Sequence, residues 1–142
     1  MIKQIIILIA IFSATLALSG ETINQDNYKN KVLSDATPKT WLIEYYSEMC
    51  GSCKEFSPIL DKLAESYKQK GLSIGQVNID RPEGFQLAKE QEMLDVGIPA
   101  LVLVHPTSGI IENLMAGDLL TEQQLKSKID GILQVINKNT EL

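Results

Sequence analysis

The stretch TWLIEYYSEMCGSCK, residues 40–54, decides the fold. Residues 40–46 are largely aromatic and aliphatic, interrupted by Glu44, and this composition is typical of a buried strand. Beyond the cysteines, apolar side chains recur at helical spacing and predict a helix from about Cys50 to Lys70. These side chains are Phe56, Leu60, Leu63, Ala64 and Tyr67. A buried strand therefore passes directly into a helix, and both cysteines of the chain lie at this junction.

Outside this stretch, apolar segments bounded by turn residues predict four more strands and three more helices. The strands are predicted at residues 21–24, 72–79, 100–104 and 110–115. The helices are predicted at residues 25–34, at residues 82–94 and, after a capping box of Thr121 and Gln124, along the apolar stripe of Leu125, Ile129, Ile132, Leu133 and Ile136. The resulting order, β-α-β-α-β-α-β-β-α, predicts a mainly parallel sheet covered on both faces, made mixed by a terminal hairpin.

The N-terminus has the layout of a secretory signal peptide. Lys3 precedes an almost wholly apolar run at residues 5–18, and small residues follow up to Ser19. The apolar run is shorter than the stretch of about 20 residues that spans a bilayer. We therefore predict a signal peptide at residues 1–19 and a single domain at residues 20–142, with a retained N-terminal anchor as the alternative.

Composition restricts the partners. Thirteen basic and eighteen acidic residues give a formal net charge of −5, which argues against a surface that binds nucleic acid. With the signal peptide removed, nothing in the remaining sequence predicts a membrane partner. Two cysteines separated by two residues are not the framework of a small disulfide-stapled protein, although export would bring them into an oxidising compartment.

The motif Cys50-Gly51-Ser52-Cys53 lies where a helix begins, and that position has chemical consequences. The unpaired N–H groups of the first turn and the helix dipole stabilise a thiolate, which is the attacking species in disulfide exchange. Cys50, at the tip, is the expected nucleophile, and Cys53, one turn inward, is the expected resolving thiol. Gly51 and Ser52 are small and leave room for a polypeptide substrate.

Three other interpretations of the cysteine pair remain open at this point. A structural zinc site needs about four ligands, and the single His105 lies in a distant turn. A purely structural disulfide closing so short a loop contributes only about 2 kcal/mol. A coincidental pair of buried thiols is the third, and a Gly-Ser bridge at a helix start speaks against it.

Two further residues have alternative interpretations. Glu44 is either an ordinary surface glutamate or a carboxyl buried beneath the cysteines, where a raised pKa would suit a general base for Cys53 acting through water. Pro99 is either a simple strand-start residue or a cis proline.

The motifs together resemble the thioredoxin-like superfamily, most closely the catalytic domain of a single-domain protein disulfide isomerase-like protein. Residues 41–54 resemble the active-site segment of that family. Pro58 matches its proline within the helix, residues 77–80 match its third strand, and residues 97–100 match its cis-proline loop. The resemblance covers essentially residues 21–137.

The resemblance implies a thioredoxin fold, an α/β architecture in which a central mixed five-stranded sheet is flanked by four helices. It also implies that Glu44 assists the resolving cysteine, that Pro99 is cis and packs against the cysteine pair, and that the backbone of Ile98 pairs with an extended substrate segment. The residues expected to contact substrate are Met49, Gly51, Ser52, Ile98 and Pro99.

Several positions depart from the family pattern. Met49 stands where the family usually has tryptophan, and Gly51-Ser52 is neither the proline-containing pair of thioredoxin nor the histidine-containing pair of most disulfide isomerases. Gln76 stands where thioredoxins often have lysine. No arginine follows Pro99, where disulfide isomerases usually place one.

The expected function is that of an enzyme, a thiol–disulfide oxidoreductase acting on cysteines of secretory-pathway proteins. It needs no cofactor or metal, and a redox-recycling partner or glutathione restores it. The endoplasmic-reticulum lumen is the expected location, weakly supported by the final Glu141-Leu142, with secretion or the periplasm as alternatives. The competing functions are a weakly catalytic or non-catalytic peptide-binding or chaperone module and a periplasmic thioredoxin-like reductant.

Overall fold

A computed structural model describes residues 20–36 and 38–141, so the predicted signal peptide at residues 1–19 lies outside the described residues. The elements are β1 (Glu21–Thr22), α1 (Gln25–Lys31), β2 (Thr40–Tyr46), α2 (Gly51–Tyr67), β3 (Leu72–Asn78), α3 (Pro82–Glu90), β4 (Ala100–His105), β5 (Ile110–Ala116) and α4 (Glu122–Thr140). Their order is the one that the sequence predicts. Short 3₁₀ turns at Lys68–Lys70 and Pro106–Ser108 follow α2 and β4.

The sheet has five strands in the order β1-β3-β2-β4-β5. β3 pairs in parallel with both β1 and β2, whereas β4 pairs antiparallel with β2 and β5. For residues 20–36 and 38–141, the predicted mixed five-stranded sheet flanked by four helices is therefore confirmed. β2 is the central strand, so the helix that follows it begins over the middle of the sheet.

The N-terminal elements are shorter than predicted. The strand expected at residues 21–24 has only two residues, because Asn24 caps α1. The side-chain oxygen of Asn24 accepts the N–H groups of Asp26 and Asn27, which fixes the start of the helix. α1 ends at Lys31, three residues before the predicted end.

α3 also ends before its predicted end at residue 94, because its C-terminus is closed by backbone hydrogen bonds. The helix stops at Glu90, and Glu92 adopts a left-handed conformation with φ 57°. The N–H of Met93 then donates to the carbonyl of Ala88, five residues earlier, at 2.8 Å. This hydrogen bond is typical of the Schellman motif at a helix C-terminus.

Successive side chains of β2 point to opposite faces of the sheet, and this alternation determines which of them lie beneath α2. Leu42 and Glu44 point to one face of the sheet, and Ile43 and Tyr45 to the other. The face with Leu42 packs against α2 and α4 through Phe56, Leu60, Leu63, Leu125 and Ile129. The face with Ile43 packs against α1 and α3 through Tyr28, Leu87 and Ala88. Glu44 thus lies beneath α2, the helix that carries the cysteines.

α3 approaches β3 so closely that only glycine fits at one position. A Cβ atom added to Gly84 would overlap the carbonyl oxygen of Asn78, the last residue of β3. This contact fixes the β3–α3 connection near the start of α2. Within the described residues, none of the helices is both long enough and apolar enough to cross a bilayer.

Candidate active site

The cysteine pair lies at the junction of β2 and α2 and is oxidised. Cys50 and Cys53 form a disulfide, with their Cα atoms 5.2 Å apart. Cys50 is the N-cap of α2, and its Sγ accepts the backbone N–H of Cys53 at 3.1 Å. The hydroxyl of Ser52 is 3.4 Å from the same sulfur, and with Cys50 in a disulfide it is the hydroxyl that donates. Two donors therefore already converge on the Cys50 sulfur.

The two sulfurs differ in their access to solvent. Cys50 is partly exposed, whereas Cys53 is only 4% exposed. The first turn of α2 contains no acidic residue, so no carboxylate there opposes the positive end of the helix dipole. This asymmetry suits attack by Cys50 and resolution by Cys53.

Glu44 is buried. It is 2% exposed, and the side-chain amide of Gln76, its register partner on β3, donates to its Oε2 at 2.7 Å. Burial raises the pKa of Glu44 above its ordinary value, and the negative charge of Asp61 raises it further, against the opposing effect of the Gln76 hydrogen bond. The carboxyl is therefore poised to accept and release protons at a higher pH than an exposed glutamate.

A cleft of about 180 Å³ connects the buried carboxyl of Glu44 with Cys53. Glu44 and Cys53 both line it, and the cleft is large enough for water molecules. The other lining residues are Tyr46, Ser47, Glu48, Lys54, Ser57 and Gln76. This arrangement offers a route for a proton between Cys53 and Glu44 through water.

The segment before β4 lies against the cysteine pair. The Ile98–Pro99 peptide bond is cis, as the resemblance implies, and the carbonyl oxygen of Ile98 is 4.0 Å from Cys50 Sγ. The carbonyl of Pro99 accepts the N–H of Gly117 at 3.0 Å, which ties this segment to the end of β5. Among residues 20–36 and 38–141, the N–H of Ile98 has no acceptor, so it is available to an extended segment laid beside it.

The remaining predicted contact residues, Met49 and Gly51, flank Cys50 in the chain. Met49, at 89%, is the most exposed large apolar side chain among the described residues, and it lies in solvent directly before Cys50. Gly51 is exposed, and a Cβ atom there would meet no neighbouring atom within 4 Å. The site is therefore open to a bulky substrate at this end of the helix.

Ser47 and Asp80 belong to the site, although their sequence pattern did not predict it. Ser47 is 8% exposed, and its hydroxyl donates to the carboxylate of Asp80 with distances of 2.8 and 3.0 Å to the two oxygens. A polar residue at the end of a buried strand was the available signal for Ser47. Nothing in the sequence pattern pairs it with Asp80, which lies 33 residues away.

No group of three metal-ligating side chains occurs among the residues that the structure describes. His105 bonds instead to the hydroxyl of Ser108 through its Nδ1, in the turn after β4.

Comparisons with known proteins agree with this geometry. The family model described as Thioredoxin matches residues 19–131. The chain is 29% identical over 115 residues to a thioredoxin of Acidithiobacillus ferridurans, covering 78% of this chain and 94% of that protein. It is 28% identical over 115 residues to protein disulfide-isomerase A4 of Rattus norvegicus, covering 79% of this chain but 16% of that longer protein.

A solved structure is similar in fold. It comes from work on the thiol resolving mechanism of a yeast mitochondrial 1-Cys peroxiredoxin via glutathione and thioredoxin systems. The TM-score is 0.63 at 21% identity, and the match covers 81% of this chain and 97% of that one. At this identity the likeness concerns the fold alone.

Proposed function

The chain belongs to the thioredoxin family, and from that premise we propose that it exchanges disulfides with cysteines of exported proteins. Its thioredoxin fold with a Cys50–Cys53 disulfide makes it a thiol–disulfide oxidoreductase. The observation that carries the proposal is the asymmetric pair, a partly exposed Cys50 at a helix N-cap bonded to a buried Cys53 beside Glu44.

In the reducing direction, the Cys50 thiolate attacks one sulfur of a substrate disulfide. A bond forms between Cys50 Sγ and that sulfur, and the other substrate sulfur leaves as a thiolate, which takes a proton from water. Cys53 then gives its proton to Glu44 through water in the cleft, and its thiolate attacks Cys50 Sγ. The second substrate thiolate is released, two electrons have passed to the substrate, and Cys50 and Cys53 end as a disulfide.

The reverse sequence oxidises a dithiol substrate and leaves the chain reduced. A thiol such as glutathione, or a protein dithiol, recycles the disulfide form, and an oxidant of the compartment recycles the dithiol form. Because about 30 mV corresponds to about 1.4 kcal/mol for this two-electron couple, small differences in contacts at Cys50 decide the direction. Equilibrating the pair with glutathione measures this preference.

The substrate is an extended polypeptide segment that carries a cysteine or cystine. The N–H of Ile98, which has no acceptor within the described part of the chain, supports pairing with the substrate backbone. The exposed Met49 supports apolar contact with substrate side chains. Methionine adapts its shape to different partners, so this surface suits varied sequences. Both residues flank Cys50, so the bound segment would present its sulfur to the nucleophile.

The proposed location is the endoplasmic-reticulum lumen, because the apolar run at residues 5–18 has the layout of an export signal. Fusing residues 1–22 to a reporter enzyme and measuring its secretion and N-terminal sequence tests this part. Cleavage near residue 19 is expected. A reporter that stays in the cytosol with its N-terminus intact would contradict it.

The catalytic proposal is tested by insulin reduction with the wild type, Cys50→Ser and Cys53→Ser. Cys50→Ser is expected to lose all activity above background, because no nucleophile remains. Cys53→Ser is expected to accumulate a mixed disulfide with insulin, visible on a non-reducing gel. Equal activity of the wild type and Cys50→Ser would contradict the assignment as an enzyme. A wild type that binds peptides without reducing insulin would favour the alternative function, a non-catalytic peptide-binding module.

A further inference from the structure

The turn between β2 and α2 is held by a carboxylate from another part of the chain. Asp80, in the β3–α3 connection, accepts the hydroxyl of Ser47 and, through Oδ2, the backbone N–H of Glu48 at 2.7 Å. We call this set of hydrogen bonds the Asp80 clasp. It reaches across 33 residues to the turn that presents Cys50.

Ser47 also forms hydrogen bonds with the next residues of the turn. Its Oγ accepts the N–H of Met49 at 3.1 Å, and its carbonyl accepts the N–H of Cys50 at 3.2 Å. The backbone positions of Met49 and Cys50 therefore both depend on where Ser47 is held. Ser47 itself is almost fully buried, at 8% exposed.

The other end of the clasp is rigid. The N–H of Asp80 donates to the side-chain oxygen of Asn78 at 2.9 Å, and the amide of Asn78 donates to Glu48 at 2.8 Å. Asn78 is itself fixed because Gly84 of α3 packs directly on its carbonyl. The turn before Cys50 is thus anchored to β3 and α3 rather than to its own helix alone.

We propose that Asp80 is a positioning residue that acts through Ser47 to hold Cys50 at the N-cap of α2, where the helix N–H groups stabilise its thiolate. The inference rests on the proposed function for its consequence in catalysis. Its physical content is separate, because the reactivity of Cys50 toward a small alkylating agent does not depend on turnover.

If Asp80 acts by positioning Cys50, its removal should raise the pKa of the Cys50 thiol, whereas if it acts only through its charge, its removal should lower that pKa. Removing the Asp80 charge alone would favour a negative sulfur nearby, so Cys50 would ionise more readily. Removing the anchor lets Cys50 leave the donors at the helix start, so it would ionise less readily. The pH midpoint for alkylation of Cys50 distinguishes the two effects.

The experiment measures iodoacetamide alkylation of Cys50 against pH in the reduced protein, together with insulin reduction. Asp80→Ala is expected to raise the midpoint and to lower the alkylation rate at pH 7 by about tenfold, the scale of one hydrogen bond to a charged group. Asp80→Asn keeps one acceptor oxygen and is expected to lie between Asp80→Ala and the wild type. Glu83→Gln, which removes a nearby acidic charge in the first turn of α3, is the matched control and is expected to match the wild type.

An Asp80→Ala midpoint at or below that of the wild type would overturn the proposal, even if the variant were less stable. If Asp80→Ala does not fold by circular dichroism, Ser47→Ala decides the matter. A loss of at least about threefold is expected, because the hydroxyl loses both its bond to the Asp80 carboxylate and its bond from the Met49 N–H. A wild-type rate in Ser47→Ala would then overturn the proposal. Failure of the wild type to reduce insulin would count against the proposed function. The alkylation midpoints would still test the positioning role of Asp80.

Discussion

The side-chain amide of Gln76 donates a hydrogen bond of 2.7 Å to the buried carboxyl of Glu44, and the two residues face each other in the register of β2 and β3. The amide is neutral, so it lowers the pKa of Glu44 only through hydrogen bonding, while burial raises it by a larger effect. The carboxyl consequently carries a desolvation cost whenever it is charged. Several measurable properties follow from this arrangement.

Glu44→Gln is expected to raise the free energy of unfolding of the oxidised protein at pH 7. The amide keeps an acceptor for Gln76 but carries no charge that must be desolvated. An increase is expected because the burial that raises the pKa of Glu44 penalises its charged form. Urea unfolding measures it, with the exposed Glu65→Gln on α2 as the control that leaves stability unchanged.

The pH dependence of stability has a definite sign. Burial raises the folded-state pKa of Glu44 above its unfolded value of 4.5, so between these two values the native state binds more protons. The contribution of Glu44 to the free energy of unfolding therefore falls as pH rises through this window. Glu44→Gln is expected to lack this fall, and an identical pH profile for variant and wild type would contradict the burial of the charge.

Gln76 variants are expected to move the pKa of Glu44 in opposite directions. Gln76→Lys places a cation beside the carboxylate and lowers that pKa, whereas Gln76→Leu removes the hydrogen bond and raises it further. Titration of the Glu44 side-chain carbon by NMR measures both. Shifts in the same direction for the two variants would show that Gln76 does not control the carboxyl.

Two glycine-to-alanine substitutions in helices are expected to have opposite effects on stability. Gly84→Ala inserts a methyl group into the carbonyl of Asn78 and is expected to cost about 1–3 kcal/mol, as in overpacked cores. Gly131→Ala on α4 meets no atom within 4 Å and is expected to gain about 0.5–1 kcal/mol from helix propensity. Chemical denaturation of both variants tests the close approach of α3 to β3, and equal effects would argue against it.

Met49→Ala is expected to weaken the binding of protein substrates without affecting the fold. Because Met49 is 89% exposed, the free energy of unfolding should stay within about 0.5 kcal/mol of the wild type. KM for insulin should rise about threefold through lost apolar contact, while turnover of glutathione disulfide stays unchanged. Val135→Ala, an exposed apolar position on α4, is the control. A parallel loss with both substrates would instead place Met49 in the chemistry of Cys50.

The order of elements and the position of the cysteine pair were predictable because they depend on local patterns. The aromatic and aliphatic run at residues 40–46 and the helical spacing after Cys50 are readable within a few turns of chain, and they place both sulfurs at a helix start. Segment ends were less predictable, because the cap at Asn24 and the left-handed Glu92 depend on hydrogen bonds that apolar periodicity does not encode.

The sequence by itself determined that the two cysteines lie two residues apart at the start of an amphipathic helix, because the apolar spacing after Cys50 is a local pattern. The tertiary structure alone decided that Glu44 is buried, because a strand has two faces and only the packing of α2 shows which of them is covered. It also brought together Gln76 with Glu44, Ile98 with Cys50, and Asp80 with Ser47, across 32, 48 and 33 residues. These pairs arise from strand register and chain reversal, which fix distances between residues that no local pattern connects.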